Sequence, residues 1–398
     1  MMVTRRWIYL GLTFMVAGIF GCPKPPVEIK PEPPDYWKKL PPGEMALVKI
    51  TDPAQYPDFS EAYYHQTNLE YAAANSLEYL SKESSKRYFP YLDITHDRAI
   101  RSVQTLMDTL REAKSPEELD RLIKERFDIY VSRGCDDKGT VLFTSYYRPI
   151  FDARLKPDAE FKYPLYKRPP DLELNEATMT YQRKGGGPYL TRPEIEHGAL
   201  AGQGLELCYL RDRFEAYIVT VQGSGKLRLE DGSFLEIGYA GDNGHEYTSV
   251  GQRLVDRGMI PPKELSLQGL IRYFKEHPEE LDSSLAVNKR YVFFTPRQGG
   301  PFGSLNVPVS PYRSLATDKQ VYPRACPAYI QTVLPARLNG VGEIADHRYK
   351  AFAFDQDTGG AIRAAGRGDL FIGTGPEIGE LAGRTFSEGK LYYIAVKE

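Results

Sequence analysis

The sequence predicts a mainly β protein with a cluster of helices near its N-terminus and a second β body inserted into the first. Three observations carry this. Apolar residues recur at helical spacing between Asp58 and Phe127, and the period changes to two after Val141. Two strand-like segments, Val141–Tyr147 and Tyr291–Phe294, then bracket residues 148–287, which contain hairpin patterns of their own. A chain of 398 residues is long enough for two or three bodies, or for one large body with an insertion. Its 28 Tyr and 35 Gly favour strands, turns and flat polar surfaces of the kind that suit sugars. The formal charge of −2, with no Lys/Arg-rich block, argues against nucleic acid as a partner.

The chain begins with Arg5-Arg6 and an uncharged apolar run from Trp7 to Gly21. That run is short of the roughly 20 residues a membrane-spanning helix needs, and it fits the apolar region of a signal peptide covering residues 1–21. It ends Ile19-Phe20-Gly21-Cys22, which resembles a bacterial lipobox and makes Cys22 the candidate lipidation site. Residues 22–43 read as a tether: eight prolines between Pro23 and Gly43 disfavour helix and central strand and tend to extended polyproline II. Of the remaining cysteines, Cys135, Cys208 and Cys326, at most one pair can form a disulfide, and no CxxC or HxxxH spacing suggests a metal.

Leu69, Ala73, Leu77 and Leu80 predict a first helix, Ile100, Val103, Met107 and Leu110 a second, and Ser115-Pro116-Glu117-Glu118 a capped third. These stripes are core. Leu142–Arg148 reads as a strand ended by Pro149, and Phe214–Thr220 as another. Lys226–Glu230, turning at Asp231-Gly232 into Phe234–Ile237, is the clearest hairpin. Two short helices separated by Pro261-Pro262 are expected between Gln252 and Glu276. The apolar segments Ala351–Phe354, Leu370–Ile372 and Leu391–Ile394 then alternate with glycine turns, as in a compact barrel of short strands.

Asp318, Asp357 and Asp369 lie among these turns. Taken singly, an Asp beside Gly is a turn former. An Asp at a barrel edge next to Leu370 and Phe371 is, however, placed to be desolvated and to hold its proton longer. Keeping an Asp protonated near neutral pH takes about 4 kcal/mol of differential stabilisation, which burial can supply.

The same stretch resembles the 3D domain, named for three aspartates: Asp318, then Asp357-Thr358-Gly359-Gly360-Ala361-Ile362-Arg363, then Asp369-Leu370-Phe371-Ile372-Gly373. Upstream, Phe143–Pro149, Val221-Gln222-Gly223-Ser224-Gly225, Tyr239–His245 and Phe293-Phe294-Thr295-Pro296 extend the likeness, and from Leu142 to Tyr393 the chain resembles the membrane-bound lytic murein transglycosylase A family. It departs in Ala364–Gly368, a loop whose length varies in the family, and in Thr317 beside Asp318. The resemblance implies a discontinuous domain, residues 44–147 and 288–398, made of the helical part plus a double-psi β-barrel, with the 3D segment at about 310–395. A second β domain, 148–287, would be inserted, with a glycan-binding groove between the two. It further implies non-hydrolytic cleavage of the N-acetylmuramic acid to N-acetylglucosamine bond of peptidoglycan, forming a 1,6-anhydro end.

By motif the catalytic acid falls on Asp369, with Asp357 and Asp318 in support. Tyr146 and Tyr147 are candidates to stack on sugar rings, although strand alternation turns one of them to the core. Gln222, Gly223, Ser224 and Gly225, together with Gly359 and Gly360, offer polar groups and bare backbone to sugar hydroxyls, or in the former case a plain hairpin tip. Asp242-Asn243-Gly244-His245 reads as a structural loop. No cofactor or metal is implied. The implied setting is the periplasmic face of an outer membrane, reached through a lipid on Cys22, with the peptidoglycan glycan strand as partner and cell-wall synthesis or division enzymes as further ones. Two alternatives stand beside this reading: an inactive murein-binding scaffold lipoprotein, and a hydrolytic muramidase using Glu206 or Glu215 as second carboxylate.

Overall fold

The computed structural model describes residues 34–398 except 177, 179, 262, 263, 338–341 and 361. The expected signal peptide, Cys22 and the tether up to residue 33 lie outside the described residues. In chain order the elements are β1 (Leu47–Lys49), α1 (Leu69–Leu80), α2 (His96–Glu112), α3 (Pro116–Arg126), β2 (Phe127–Ser132) and β3 (Val141–Arg148). There follow β4 (Ile150–Arg154), β5 (Tyr163–Tyr166), β6 (Leu172–Asn175), β7 (Thr180–Arg183), α4 (Arg192–Glu194), β8 (Glu206–Leu210), α5 (Arg213–Gln222), β9 (Ser224–Arg228) and β10 (Phe234–Asp242). The chain ends with α6 (Val250–Asp256), α7 (Leu267–Glu276), α8 (Leu281–Leu285), β11 (Val292–Pro296), β12 (Ser314–Ala316), β13 (Pro327–Arg337), β14 (Ile344–Asp357), β15 (Arg367–Thr374), α9 (Pro376–Arg384) and β16 (Phe386–Val396).

The main sheet runs β1-β2-β16-β13-β14-β12-β15-β3, and β16 also pairs with β3, so six of its strands close a barrel. Closure removes the sheet edges that would otherwise be left unpaired. Two of the pairings are parallel, β12 with β14 and β15 with β3, while the other barrel pairings are antiparallel. The expected helices form where the spacing placed them. Thr95 caps α2 through the Arg98 amide and Ser115 caps α3 through the Glu118 amide, with Pro116 in the first turn. Their stripes, including Leu69, Ala72, Val103, Leu106, Leu119 and Ile123, join Tyr329, Phe352 and Phe354 of the barrel in one core.

The second body is a six-stranded sheet, β11-β10-β9-β4-β8-β5, with its own core of Leu165, Leu210, Ile218, Leu227, Ile237, Leu254 and Phe294. The expected hairpin is β9/β10, with Phe234 opposite Arg228 and Ile237 opposite Gly225. Phe214–Thr220, expected as a strand, is helix α5. The Asp212 side chain accepts from the Phe214 and Glu215 amides, and Phe214, Tyr217 and Ile218 are buried on one face, so the cap and the packing override the β-branched run Ile218-Val219-Thr220-Val221. Gln222 and Gly223 accordingly end a helix rather than a hairpin; Gly223 sits at φ +73°, the left-handed cap conformation that glycine adopts without strain. The second body is thus mixed α/β, with α5–α8 against its sheet. β11 pairs with β10, so this sheet runs through Pro296, past the expected end at 287.

The last part of the proline-rich stretch is folded onto the body rather than extended. Asp35 accepts from the Trp37 amide through its side chain and from the Lys38 amide through its carbonyl, and Leu40 packs against the main core. Tyr36, Trp37 and Leu40 give that segment apolar surface to bury, which prolines alone do not.

Strand β14 connects the barrel interior to its outer helices. Gln356 is fully buried, accepts from the Ser314 hydroxyl at 2.6 Å and donates to the Ala72 carbonyl at 2.6 Å and to Ser76 at 2.9 Å, which fastens the strand to α1. Its neighbour Asp355 is equally buried and is paired with Lys319, with Thr317 and Tyr393 each donating to it at 2.7 Å. Removing one partner of a buried pair strands the other charge. Lys319→Met should therefore lower stability by about 3–5 kcal/mol in chemical denaturation, and adding Asp355→Asn should recover part of that loss.

Candidate active site

Between the barrel and the second body lies a groove of about 810 Å³. The barrel side contributes Tyr146, Asp357, Gly359, Gly360, Asp369 and Phe371, and the second body contributes Tyr181, Gln222, Gly223, Ser224, Tyr239 and Arg290. Asp369 also borders an adjoining cavity of about 290 Å³, walled by Tyr217, Ile218, Leu267 and Leu270. The carboxyl therefore stands where two spaces meet.

Asp369 owes its place to register. On β15 it pairs with Ala316 of β12 on one side and with Thr144 of β3 on the other. Thr144 Oγ1 is 2.7 Å from Asp369 Oδ1, and Arg367 Nη2 is 3.2 Å from the same Oγ1. A guanidinium only donates, so the Thr144 hydroxyl accepts from Arg367 through one lone pair, and the cation there turns the hydroxyl hydrogen away from itself and toward Oδ1. With Oδ1 accepting from Thr144, a proton on Asp369 is favoured on Oδ2. Burial pushes the Asp369 carboxyl up to about 6 and the nearby Asp357 charge adds to the rise, while the Thr144 hydrogen bond and the Arg367 charge pull against it.

Asp357, at the end of β14, lies in a different environment. Tyr146 Oη donates to its Oδ2 at 2.6 Å, and the Ser304 and Thr358 amides donate to its Oδ1 at 2.7 and 2.8 Å. Three donors hold its carboxyl in place. Asp318 does not line the groove. It is buried, accepting from the Gln320 amide at 3.0 Å and the Ala364 amide at 2.8 Å, which pins the loop between β14 and β15 to the residues after β12. The same loop meets the second body at Gly360, where a Cβ would fall 2.3 Å from the Tyr247 ring, so glycine is required for that approach.

The other expected site residues separate. Tyr146 faces the groove and packs at 5.3 Å on Phe371. Tyr147 is 4% exposed, with its hydroxyl on Gln268 at 2.8 Å, and is the member of the pair turned inward. Gln222, Gly223 and Ser224 reach the groove, but Gly225 does not: it lies within β9 against Val219 and Ile237. Glu206 and Glu215 line neither space; Glu215 is on α5 and Glu206 accepts from the Gly202 amide. Asp242 and Asn243 make loop bonds, with Asp242 accepting from Gly244 and Arg290, and Asn243 holding Leu190, Lys289 and Tyr291. The described cysteines, Cys135, Cys208 and Cys326, are buried and free.

Residues 142–295 match the MltA specific insert domain and residues 313–395 match the 3D domain. The membrane-bound lytic murein transglycosylase A of Vibrio cholerae is 33% identical over 267 residues, which is 66% of this chain and 68% of the relative. That of Escherichia coli K12 is 33% identical over 270 residues, 67% and 69% of the two chains. The chain belongs to the membrane-bound lytic murein transglycosylase A family. Among solved structures of that family, the enzyme from Agrobacterium tumefaciens superposes with a TM-score of 0.73 at 27% identity, covering 88% of this chain and 98% of that one. E. coli MltA with bound chitohexaose gives 0.62 at 26% identity, over 89% and 95%. The closed barrel and its groove are thus the fold of the family.

Thr144, Arg367 and the Gly303-Ser304 turn carry no local signal of their place in the site. Thr144 and Arg367 lie in the segments Phe143–Pro149 and Ala364–Gly368, and the parallel pairing of β3 with β15 brings them to the acid. The raised carboxyl has a consequence for stability. Between 3.8 and about 6 the native state holds a proton that the unfolded chain has lost, so ionising Asp369 makes the protein less stable as pH rises through that window. Asp369→Asn removes this penalty. In urea titrations the variant should be more stable than the parent by about 1–3 kcal/mol near pH 7.5 and indistinguishable from it near pH 3.5.

Proposed function

We propose that this lytic murein transglycosylase cuts the glycan strand of peptidoglycan with Asp369 as its one proton-transferring group. The observation that carries the reading is a carboxyl desolvated to about 6, standing in the groove with one oxygen bound by Thr144 and the other left for substrate. Asp369 Oδ2 gives its proton to the glycosidic oxygen between N-acetylmuramic acid and N-acetylglucosamine as the bond from that oxygen to C1 breaks. The carboxylate then takes the proton of the muramyl C6 hydroxyl, whose oxygen closes on C1. No water enters the balance, and one carboxyl serves first as acid and then as base. Because the nucleophile belongs to the same sugar, about 7–11 kcal/mol of barrier lowering is available from its orientation.

Asp357 fits a supporting role better than that of a second proton carrier, since three donors occupy its carboxyl oxygens. It would keep Tyr146 and the Ser304 turn in position and favour the positive charge that builds on C1. Tyr146, Tyr239 and Tyr181 supply aromatic faces for pyranose rings along the groove. The E. coli relative solved with chitohexaose supports a groove made for a β-linked amino-sugar chain. The relatives are named membrane-bound, and a lipid on Cys22 at the periplasmic face of an outer membrane is the form of anchoring the sequence favours. Against a hydrolytic muramidase stands the position of Glu206 and Glu215 outside the groove. Against an inactive scaffold stands the raised carboxyl itself, which costs stability at neutral pH and is placed in the groove to deliver a proton.

Mass spectrometry of products from purified murein tests the reading. Muropeptides should end in 1,6-anhydro-muramic acid, one water lighter than hydrolytic ends, and Asp369→Asn should abolish them while leaving the circular dichroism spectrum unchanged. Reducing-end muramic acid as the main product, or anhydro ends from the Asn variant, would overturn it.

A further inference from the structure

The residue that closes off the far end of the acid's hydrogen-bond chain comes from outside the barrel and the second body. The Trp37 ring lies over the Arg367 guanidinium at 4.7 Å. Arg367 is 6% exposed, and among the described residues its guanidinium makes one hydrogen bond, to Thr144, and leaves Nε without a hydrogen-bond partner. A buried guanidinium so sparsely bonded depends on its π contact to stay in place. Trp37 lines neither the groove nor the adjoining cavity, so it is not placed to touch sugar.

The segment carrying Trp37 is itself built in. Tyr36 Oη donates to Glu388 at 2.7 Å and its ring packs edge-on against Phe386 at 6.4 Å, the residue paired with Thr144 across β16 and β3. The Tyr36 carbonyl lies so close to Gly366 that a Cβ there would come within 2.6 Å of it. Residues 35–40 are thus fitted against the start of β15 rather than resting on the surface.

We propose that Trp37 is a positioning residue for Asp369. It holds Arg367 on Thr144, where the cation turns the hydroxyl hydrogen toward Asp369 Oδ1 and so favours the transferable proton on Oδ2. Were Arg367 to leave, that bias would be lost, and the Thr144 hydroxyl would more readily accept from a protonated Asp369 Oδ1 than donate to it. The end of the proline-rich stretch is, in this sense, part of what positions the acid. The inference rests on Asp369 being the acid.

The test is steady-state release of anhydro ends by the full chain, acting on soluble uncross-linked glycan strands. Trp37→Ala should lower kcat about tenfold, a fraction of what a general acid contributes, with KM unchanged, and Trp37→Phe should restore most of it because a π face remains. In a Thr144→Val background Trp37→Ala should have no further effect, since both changes act through the same hydroxyl. The proposal is overturned if Trp37→Ala raises KM at constant kcat, if its effect adds fully to that of Thr144→Val, or if Trp37→Phe fails to rescue a folded protein. Asp369→Asn, run alongside, separates the two levels. An inactive Asn variant with a fully active Trp37→Ala enzyme sinks this inference alone, whereas an active Asn variant sinks the assignment of the acid.

Discussion

The parallel pairing of β15 with β3 is the constraint on which the rest depends. It sets Thr144 directly beside Asp369, residues 225 apart in the chain, and it completes the barrel wall that keeps water from the carboxyl. Parallel neighbours cannot be joined by a tight turn. The chain between them has room for the whole second body, and that body supplies the opposite wall of the groove. Arg367 and Phe371 belong to the same strand, so one register also decides what lies on either side of the acid.

Two aspartates in one groove show how environment divides chemical roles. Among the described residues one side chain, Thr144, donates to Asp369, and burial favours its protonated form at mildly acidic pH. Asp357 is instead held by three donors. The Asp357 charge adds to the rise at Asp369 by opposing its ionisation. A reaction whose nucleophile is already part of the substrate needs no carboxylate to activate water, so one proton carrier and one fixed charge are enough.

Local signals in the sequence were legible where the residues themselves decide the outcome. Ser115-Pro116 and Thr95 start helices through their own side chains, and the Asp231-Gly232 hairpin follows from alternation and turn chemistry. The third aspartate was singled out by the three-aspartate motif, and its neighbours Leu370 and Phe371 agree with a desolvated position. What failed was set by tertiary packing. Phe214–Thr220 has the composition of a strand and becomes a helix because Asp212 caps it and a core awaits one face. Gly225 left the groove once Gln222 and Gly223 became a helix end. Thr144, Arg367 and Trp37 were invisible as a set, since they lie on three segments joined only by register and stacking, neither of which is written in local periodicity.

The central physical claim is that folding keeps Asp369 protonated well above the ordinary range of an aspartate. The most direct measurement is the pH dependence of its carboxyl infrared band in protein carrying isotope-labelled aspartate, taken as the difference between the parent and Asp369→Asn. A titration midpoint near 6 is the expected result, and a midpoint near the ordinary 3.8 would contradict it.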